Sequence, residues 1–385
     1  MPEDRKVTRS NCVEEPASVA DRLSVLFVGS FKSAGVDGTV GGQMYACRSL
    51  LDSPLGKKYN WLLLDSTANS NIPEVFLVRL ARALWRLARF SAFLLTKKID
   101  CCIIFAGHGW SFVEKGTMVV LGKFAGKRIV LAPRSGLVLD EIDSSRLVRS
   151  VILHSVRASD CVVCQGKYWK SFYQSISGEP ADKFRVIQNW VRIDNYLPRK
   201  SIDSDNVLKI LFLSWVDANK GIFDLVTVAE RLVNQYGSLL FLIAGSGVAI
   251  QEVKCLVASK KLERYFAFLG WVQGGEKYRL LQTSDIFVLP SYREGFPNSV
   301  IEAMASCLPV VCTSVGAIPE IVEHNVNGLL FEAGDTGAFE VMLEKLVSNI
   351  ALRTKLGMNA RTTVIQNNSL ETAVREFAAV IEGPS

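Results

Sequence analysis

Histidine is nearly absent from this chain, with three in 385 residues: His108, His154 and His324. They lie far apart, and the lone CxxC, Cys161 with Cys164, has neither a second pair nor a neighbouring histidine to complete a zinc site. Cysteines number nine, an odd count, and most sit in apolar runs such as Asp100-Cys101-Cys102-Ile103-Ile104. That usage predicts reduced, buried thiols in a cytoplasmic protein and excludes a disulfide framework. No uncharged apolar run of about 18 residues occurs, so no membrane-spanning helix is expected. Residues 1–20 lack the apolar segment of a secretory signal and are expected to form a disordered tail. Charge of either sign is not in large excess: 44 Lys and Arg against 38 Asp and Glu give a net +6. No basic stripe with interleaved aromatics exists outside residues 74–98, which argues against a nucleic-acid-binding module.

What is present is an alternation of short apolar runs and helical stretches. Leu23–Val28, Trp61–Leu64, Cys101–Phe105, Ile129–Leu131, Cys161–Cys164 and Lys183–Ile187 read as strands, with helices over Gly41–Leu51, Val75–Leu95 and Ser144–Ala158. Strands that are apolar throughout, separated by helices, indicate a parallel sheet covered on both faces. Asp194–Asn206 breaks the pattern with Pro198, Arg199, Lys200 and several Asp and Ser, and reads as a linker. The alternation then restarts, with strands at Leu208–Leu213, Leu239–Ala244, Tyr265–Leu269, Ile286–Leu289 and Val310–Cys312 and helices at Gly221–Tyr236, Asn298–Ala305 and from about Gly337 onward. The fold class is α/β: two Rossmann-like doubly wound domains facing a cleft. The boundaries are 21–193 for the first domain, 194–206 for the linker and 207–385 for the second, whose last helix is a candidate to pack back on the first. In such sheets ligands bind beyond the carboxyl ends of the strands.

The most informative stretch is Pro290-Ser291-Tyr292-Arg293-Glu294-Gly295-Phe296-Pro297-Asn298-Ser299-Val300-Ile301-Glu302-Ala303-Met304. A strand ends at Pro290, a loop follows, and a helix begins with Pro297 in its first turn, where a missing N–H costs nothing. Gly295 and Phe296 carry no side-chain oxygen to cap that helix. The N–H groups of Asn298, Ser299 and Val300 are thus free for an external anion, a diphosphate above all. Glu302, in the second turn, reaches a neutral polyol such as ribose. Glu294 suits sugar hydroxyls better than a phosphate, which it would repel.

Glu294 and Glu302, with seven residues between them in this setting, resemble the E-x7-E motif of group 1 (family 4) retaining glycosyltransferases of the GT-B fold. Gly41-Gly42 resembles the glycine pair of that family's first domain, and Asn219-Lys220-Gly221 its phosphate-binding Lys-Gly segment. Gly245-Ser246-Gly247, Phe268-Leu269-Gly270-Trp271-Val272 and the Gly316 to Glu320 stretch also fit. The resemblance implies metal-independent transfer of a sugar from a nucleoside diphosphate sugar to a hydroxyl of a glycan or polyprenyl-linked acceptor, in surface polysaccharide or glycolipid assembly. Glu294 and Lys220 would carry the chemistry. The donor would lie against Gly41, Gly42, Gly295, Phe296, Pro297, Asn298, Ser299, Val300 and Glu302. The first domain would be the acceptor side and the second the nucleotide-sugar side.

Two departures stand out. The family has an Arg at the strand end before the Lys, where this chain has Ser214-Trp215, and a His in a first-domain loop, where it has Pro133-Arg134. Arg134 and His108 are therefore candidates for donor or acceptor contacts. The missing cation also leaves open a non-catalytic nucleotide-sugar-binding scaffold of the same fold. Asp203-Ser204-Asp205 matches a metal-binding D-x-D but sits in the polar linker; it is read as solvated, and no metal is expected.

Residues 74–98 carry Arg79, Arg82, Arg86 and Arg89 at three- and four-residue spacing, one stripe on an otherwise apolar helix that includes Trp85, Phe90 and Phe93. This pattern predicts an interfacial helix with Arg79, Arg82, Trp85, Arg86 and Arg89 facing anionic lipid, peripheral on the inner face of the membrane. A core helix with a solvated basic face is the alternative.

Overall fold

The computed structural model describes residues 22–32, 42–67, 75–198 and 207–383. Gly41, Asp203, Asp205 and the N-terminal tail lie outside them. Among the described residues twelve strands form two six-stranded sheets, every pairing parallel. The first sheet contains β1 (Ser24–Gly29), β2 (Asn60–Asp65), β3 (Cys101–Ala106), β4 (Arg128–Pro133), β5 (Cys161–Cys164) and β6 (Phe184–Val186), in the order β2-β1-β3-β4-β5-β6. The second contains β7 (Leu208–Leu213), β8 (Leu239–Ala244), β9 (Phe266–Gly270), β10 (Ile286–Leu289), β11 (Val310–Thr313) and β12 (Leu329–Phe331), in the order β12-β11-β10-β7-β8-β9.

The composition of the central strands explains this arrangement. Val25-Leu26-Phe27-Val28 and Cys101-Cys102-Ile103-Ile104 are buried on both faces, as a parallel strand sandwiched between helices requires. Cys161 and Cys164 belong to this core as buried thiols of β5. Strand order reverses between β1 and β3 in the first sheet and between β7 and β10 in the second. Chains leave these neighbouring strands in opposite directions and open a crevice at their carboxyl ends. The loops after β7 and β10 carry Lys220 and Glu294, so topology alone brings the two together.

The last helix, Leu370–Glu382, leaves the second domain and covers the first sheet. Its Phe377 ring lies 6.2 Å from Phe105 and 5.6 Å from Trp190. Tyr59 donates a 2.8 Å hydrogen bond to Glu382, and Lys58 pairs with the same carboxylate at 2.6 Å.

Helix Phe76–Thr96 departs from the expected single arginine stripe. Arg86 turns inward and binds Glu114 of helix Trp110–Phe124 with both Nε (2.5 Å) and Nη2 (2.8 Å). Glu114 and Lys115 are themselves buried, so this arginine belongs to an internal ion cluster. The exposed surface of the helix is mixed: Arg79 and Arg89 stand in solvent beside Leu77 (70% exposed), Leu84 (57%), Trp85 (59%) and Leu95 (87%).

Candidate active site in the interdomain cleft

A cavity of about 860 Å³ lies between the carboxyl ends of the two sheets and is walled by both domains. Helix Asn298–Ala305 points its N-terminus at it. Pro297 is the residue before the helix (φ −75°, ψ 116°) rather than part of its first turn, and no side chain caps the end. The first-turn N–H groups, which have no intrahelical acceptor, therefore face the cavity wall formed by Phe296, Pro297, Asn298 and Ser299. Val300 is fully buried and Gly295 turns toward the first domain, so neither lines the cavity.

Lys220 closes a short 3-10 turn, Ala218–Lys220, and Gly221 follows with φ 68°. A Cβ on Gly221 would lie 1.9 Å from the carbonyl oxygen of Pro290. Only glycine lets the loop after β7 pass this close beneath the loop after β10. The result is a 2.7 Å ion pair between Lys220 Nζ and Glu294 Oε1, with the Ser291 hydroxyl donating to the same oxygen at 2.8 Å. Glu302 is paired as well: Lys277 Nζ lies 2.6 Å from its Oε1.

The first domain supplies the opposite wall. Gly42, Arg134, Gln165 and Asn189 line the cavity. Asn189 Nδ2 donates to Phe296 O (2.8 Å) and Asn298 Oδ1 (2.6 Å), while its Oδ1 accepts from Arg134 Nη2 (2.6 Å) and Gln165 Nε2 (3.0 Å). Burial pulls the Arg134 guanidinium down to about 10, and among the described residues no carboxylate offsets that desolvation. His108 is exposed, does not line the cavity, and among the described residues its ring bonds the Ser135 hydroxyl at 3.3 Å.

The two domains are held together around this site. Glu320 of the second domain accepts from the N–H groups of Lys167 and Tyr168, both at 2.7 Å, at the start of helix Lys167–Ser177 in the first. Trp169 Nε1 donates to Gly295 O at 2.8 Å. A Cβ on Gly136 would come within 2.6 Å of the Glu294 backbone, so glycine permits this contact too.

The sequence reading missed several lining residues. Lys277, Asn189 and Gln165 carry no motif of their own. Trp215, noted only as a departure, packs its ring against Trp271 at 5.3 Å and 43° and gives the cavity an aromatic wall.

Residues 197–363 match the family described as glycosyl transferases group 1. The amylovoran biosynthesis glycosyltransferase AmsK of Erwinia amylovora is 30% identical over 211 residues, covering 53% of this chain and 52% of that protein. The chain spans between about half and two thirds of the length of the curated relatives it matches first. Sucrose-phosphate synthase from Thermosynechococcus elongatus superposes with a TM-score of 0.76 at 17% identity, covering 93% of this chain and 98% of that one. Anabaena HepE in complex with UDP-glucose gives a TM-score of 0.73 at 19% identity, covering 92% and 98%. The chain has the two-domain GT-B fold and carries, over residues 197–363, the domain of the group 1 glycosyltransferase family.

Proposed function

We propose that this protein is a retaining glycosyltransferase that moves a sugar from a nucleoside diphosphate sugar to a hydroxyl of a glycan or lipid-linked acceptor, in surface polysaccharide or glycolipid assembly. The observation that carries this reading is the uncapped N-terminus of helix Asn298–Ala305 facing the cleft, with Lys220 beside it. A helix end and a lysine together offer oriented N–H donors and a full positive charge to a diphosphate. As the glycosidic bond breaks, negative charge grows on the diphosphate leaving group. Donors already aimed at that position stabilise it without reorganising. Glu302, neutralised by Lys277, accepts from the ribose hydroxyls. Glu294 exchanges part of its bond to Lys220 for the hydroxyls of the donor sugar when the diphosphate draws the ammonium away. Two relatives support the pathway class, AmsK being an amylovoran biosynthesis glycosyltransferase and WcaL of Escherichia coli a putative colanic acid biosynthesis one, and HepE of the same fold is seen in complex with UDP-glucose. The retaining outcome rests on the Glu294–Glu302 motif.

The outward face of helix Phe76–Thr96 supports a place on an anionic membrane surface. It joins exposed Leu77, Leu84 and Trp85 to exposed Arg79 and Arg89, residues 75–98 contain no acidic side chain, and Arg89 stacks over Trp85 at 5.3 Å. A lipid-borne acceptor fits that location. The test is a transfer assay with nucleotide sugars and a lipid-linked glycan extract, with the product anomer assigned by NMR. Transfer with the donor's anomeric configuration is expected. Nucleotide-sugar binding without turnover on any acceptor would favour a scaffold, and an inverted product would overturn the retaining reading.

A further inference from the structure

Among the described residues three cationic side chains line the cleft: Arg134, Lys220 and Lys277. Two are matched by carboxylates, Lys220 by Glu294 and Lys277 by Glu302. Arg134 is not. Among the described residues its hydrogen bond goes to the neutral amide oxygen of Asn189, and its Nη1 is buried without a partner. The guanidinium is held between the rings of Phe105 (4.9 Å) and Trp190 (5.6 Å). Ring faces offset part of the desolvation of a cation but do not replace a counter-ion. A charge kept at that cost, on the wall of a ligand cleft, marks a place where the ligand brings the anion.

Its location narrows the choice of anion. Arg134 follows the end of β4 and lies one amide, that of Asn189, from Phe296 and Asn298 at the head of the diphosphate helix. In the reading above, which this inference rests on, the diphosphate already has Lys220 and the helix N-terminus, both from the second domain. The surplus charge belongs to the first-domain wall, across the cleft from them. We propose that Arg134 is a specificity-determining residue that selects a donor sugar bearing a carboxylate, of the uronic acid class, over the corresponding neutral hexose.

The test uses matched donors on the full chain: UDP, UDP-glucose and UDP-glucuronate, and GDP, GDP-mannose and GDP-mannuronate. Affinities are measured for the wild type, Arg134→Met and Arg134→Lys. Met fills the space between the two rings, and Asn189 keeps its bond from Gln165. In the wild type the acidic donor of one pair should bind about tenfold more tightly than its neutral partner, the size expected of a charged hydrogen bond. Arg134→Met should abolish that preference by weakening the acidic donor about tenfold more than the neutral one, and Arg134→Lys should restore part of it. A wild type that binds neutral and acidic donors alike overturns the inference and leaves the donor site standing. Equal weakening of nucleoside diphosphate, neutral and acidic donors in Arg134→Met also overturns it, by assigning Arg134 to the diphosphate. Binding of none of the six to the wild type contradicts the donor-site reading and this inference with it.

Discussion

Lys220 Nζ and Glu294 Oε1 are 2.7 Å apart across 74 residues of sequence, so the two residues proposed for the chemistry hold each other in place before any ligand arrives. Their side chains retain only 20% and 8% exposure. In such a dry setting each fixes the other's rotamer, and the Lys220 ammonium stands ordered at the cleft, balanced by Glu294 until a diphosphate draws it away.

Removing either partner should abolish transfer. Glu294→Ala and Lys220→Ala are each expected to fall below one hundredth of wild-type kcat/KM, a loss of about 3 kcal/mol or more of transition-state stabilisation. Each also leaves the other group without its partner, costing on the order of 1–3 kcal/mol of stability without unfolding the chain. Circular dichroism melts beside the transfer assay check both, and wild-type activity in either variant would overturn the assignment.

Glu302 and Lys277 should behave differently. Glu302→Ala removes the proposed ribose acceptor and leaves Lys277 unmatched, so donor affinity should drop about tenfold while turnover of bound donor changes less. Titration calorimetry with donor and a KM-against-kcat comparison separate the two. Unchanged donor affinity would remove Glu302 from the site.

The domain contact at Glu320 gives a third expectation. Its carboxylate caps a helix of the other domain through Lys167 and Tyr168. Glu320→Ala should lower stability by about 1 kcal/mol, as loss of an N-cap does, and widen the cleft. Small-angle scattering should show a larger radius of gyration, with kcat/KM reduced because both walls must meet around the donor. An unaltered scattering curve would mean that the remaining contacts hold the domains by themselves.

The membrane surface is tested with vesicles. Because Arg86 is engaged by Glu114, the informative variants change the outward face: Arg79→Glu with Arg89→Glu, and Leu84→Ser with Trp85→Ser. Both should reduce flotation with anionic phospholipid vesicles severalfold, and neither should alter flotation with neutral ones. Equal partition of variants and wild type would place this helix elsewhere than on lipid.

Metal removal is a further check. The proposed chemistry stabilises the leaving group with Lys220 and helix N–H groups, so EDTA should leave the transfer rate unchanged. Inhibition that a divalent cation reverses would require a metal in the account.

Much of the architecture was legible because parallel strands announce themselves. Val25–Val28, Cys101–Phe105 and Ile286–Leu289 are apolar at every position, a pattern that only a doubly covered strand tolerates. Helix Asn298–Ala305 was equally plain, although Pro297 precedes it instead of standing in its first turn. What escaped were relations between distant segments. The partner of Glu302 stands on another helix at Lys277, and Asn189 meets Asn298 across 109 residues. Neither carries a periodic signal. The arginine stripe was misjudged for a related reason: spacing placed four arginines on one side, but Glu114 on the next helix decided that Arg86 faces inward. Helix Trp110–Phe124 went unmarked because Gly116 interrupts its pattern; it packs there against Val151 and Ser155.

The central claim is that this cleft binds a nucleoside diphosphate through Lys220 and the helix after Pro297. The most direct measurement is a thermal-shift titration of the wild type and Lys220→Ala with UDP, GDP, ADP and CDP. Stabilisation grows with ligand concentration relative to the dissociation constant, so a specific ligand separates from the rest. The account predicts that one nucleotide raises the wild-type midpoint in a saturable manner and that Lys220→Ala loses most of that response. No shift with any nucleotide, or an equal shift in both proteins, would contradict it.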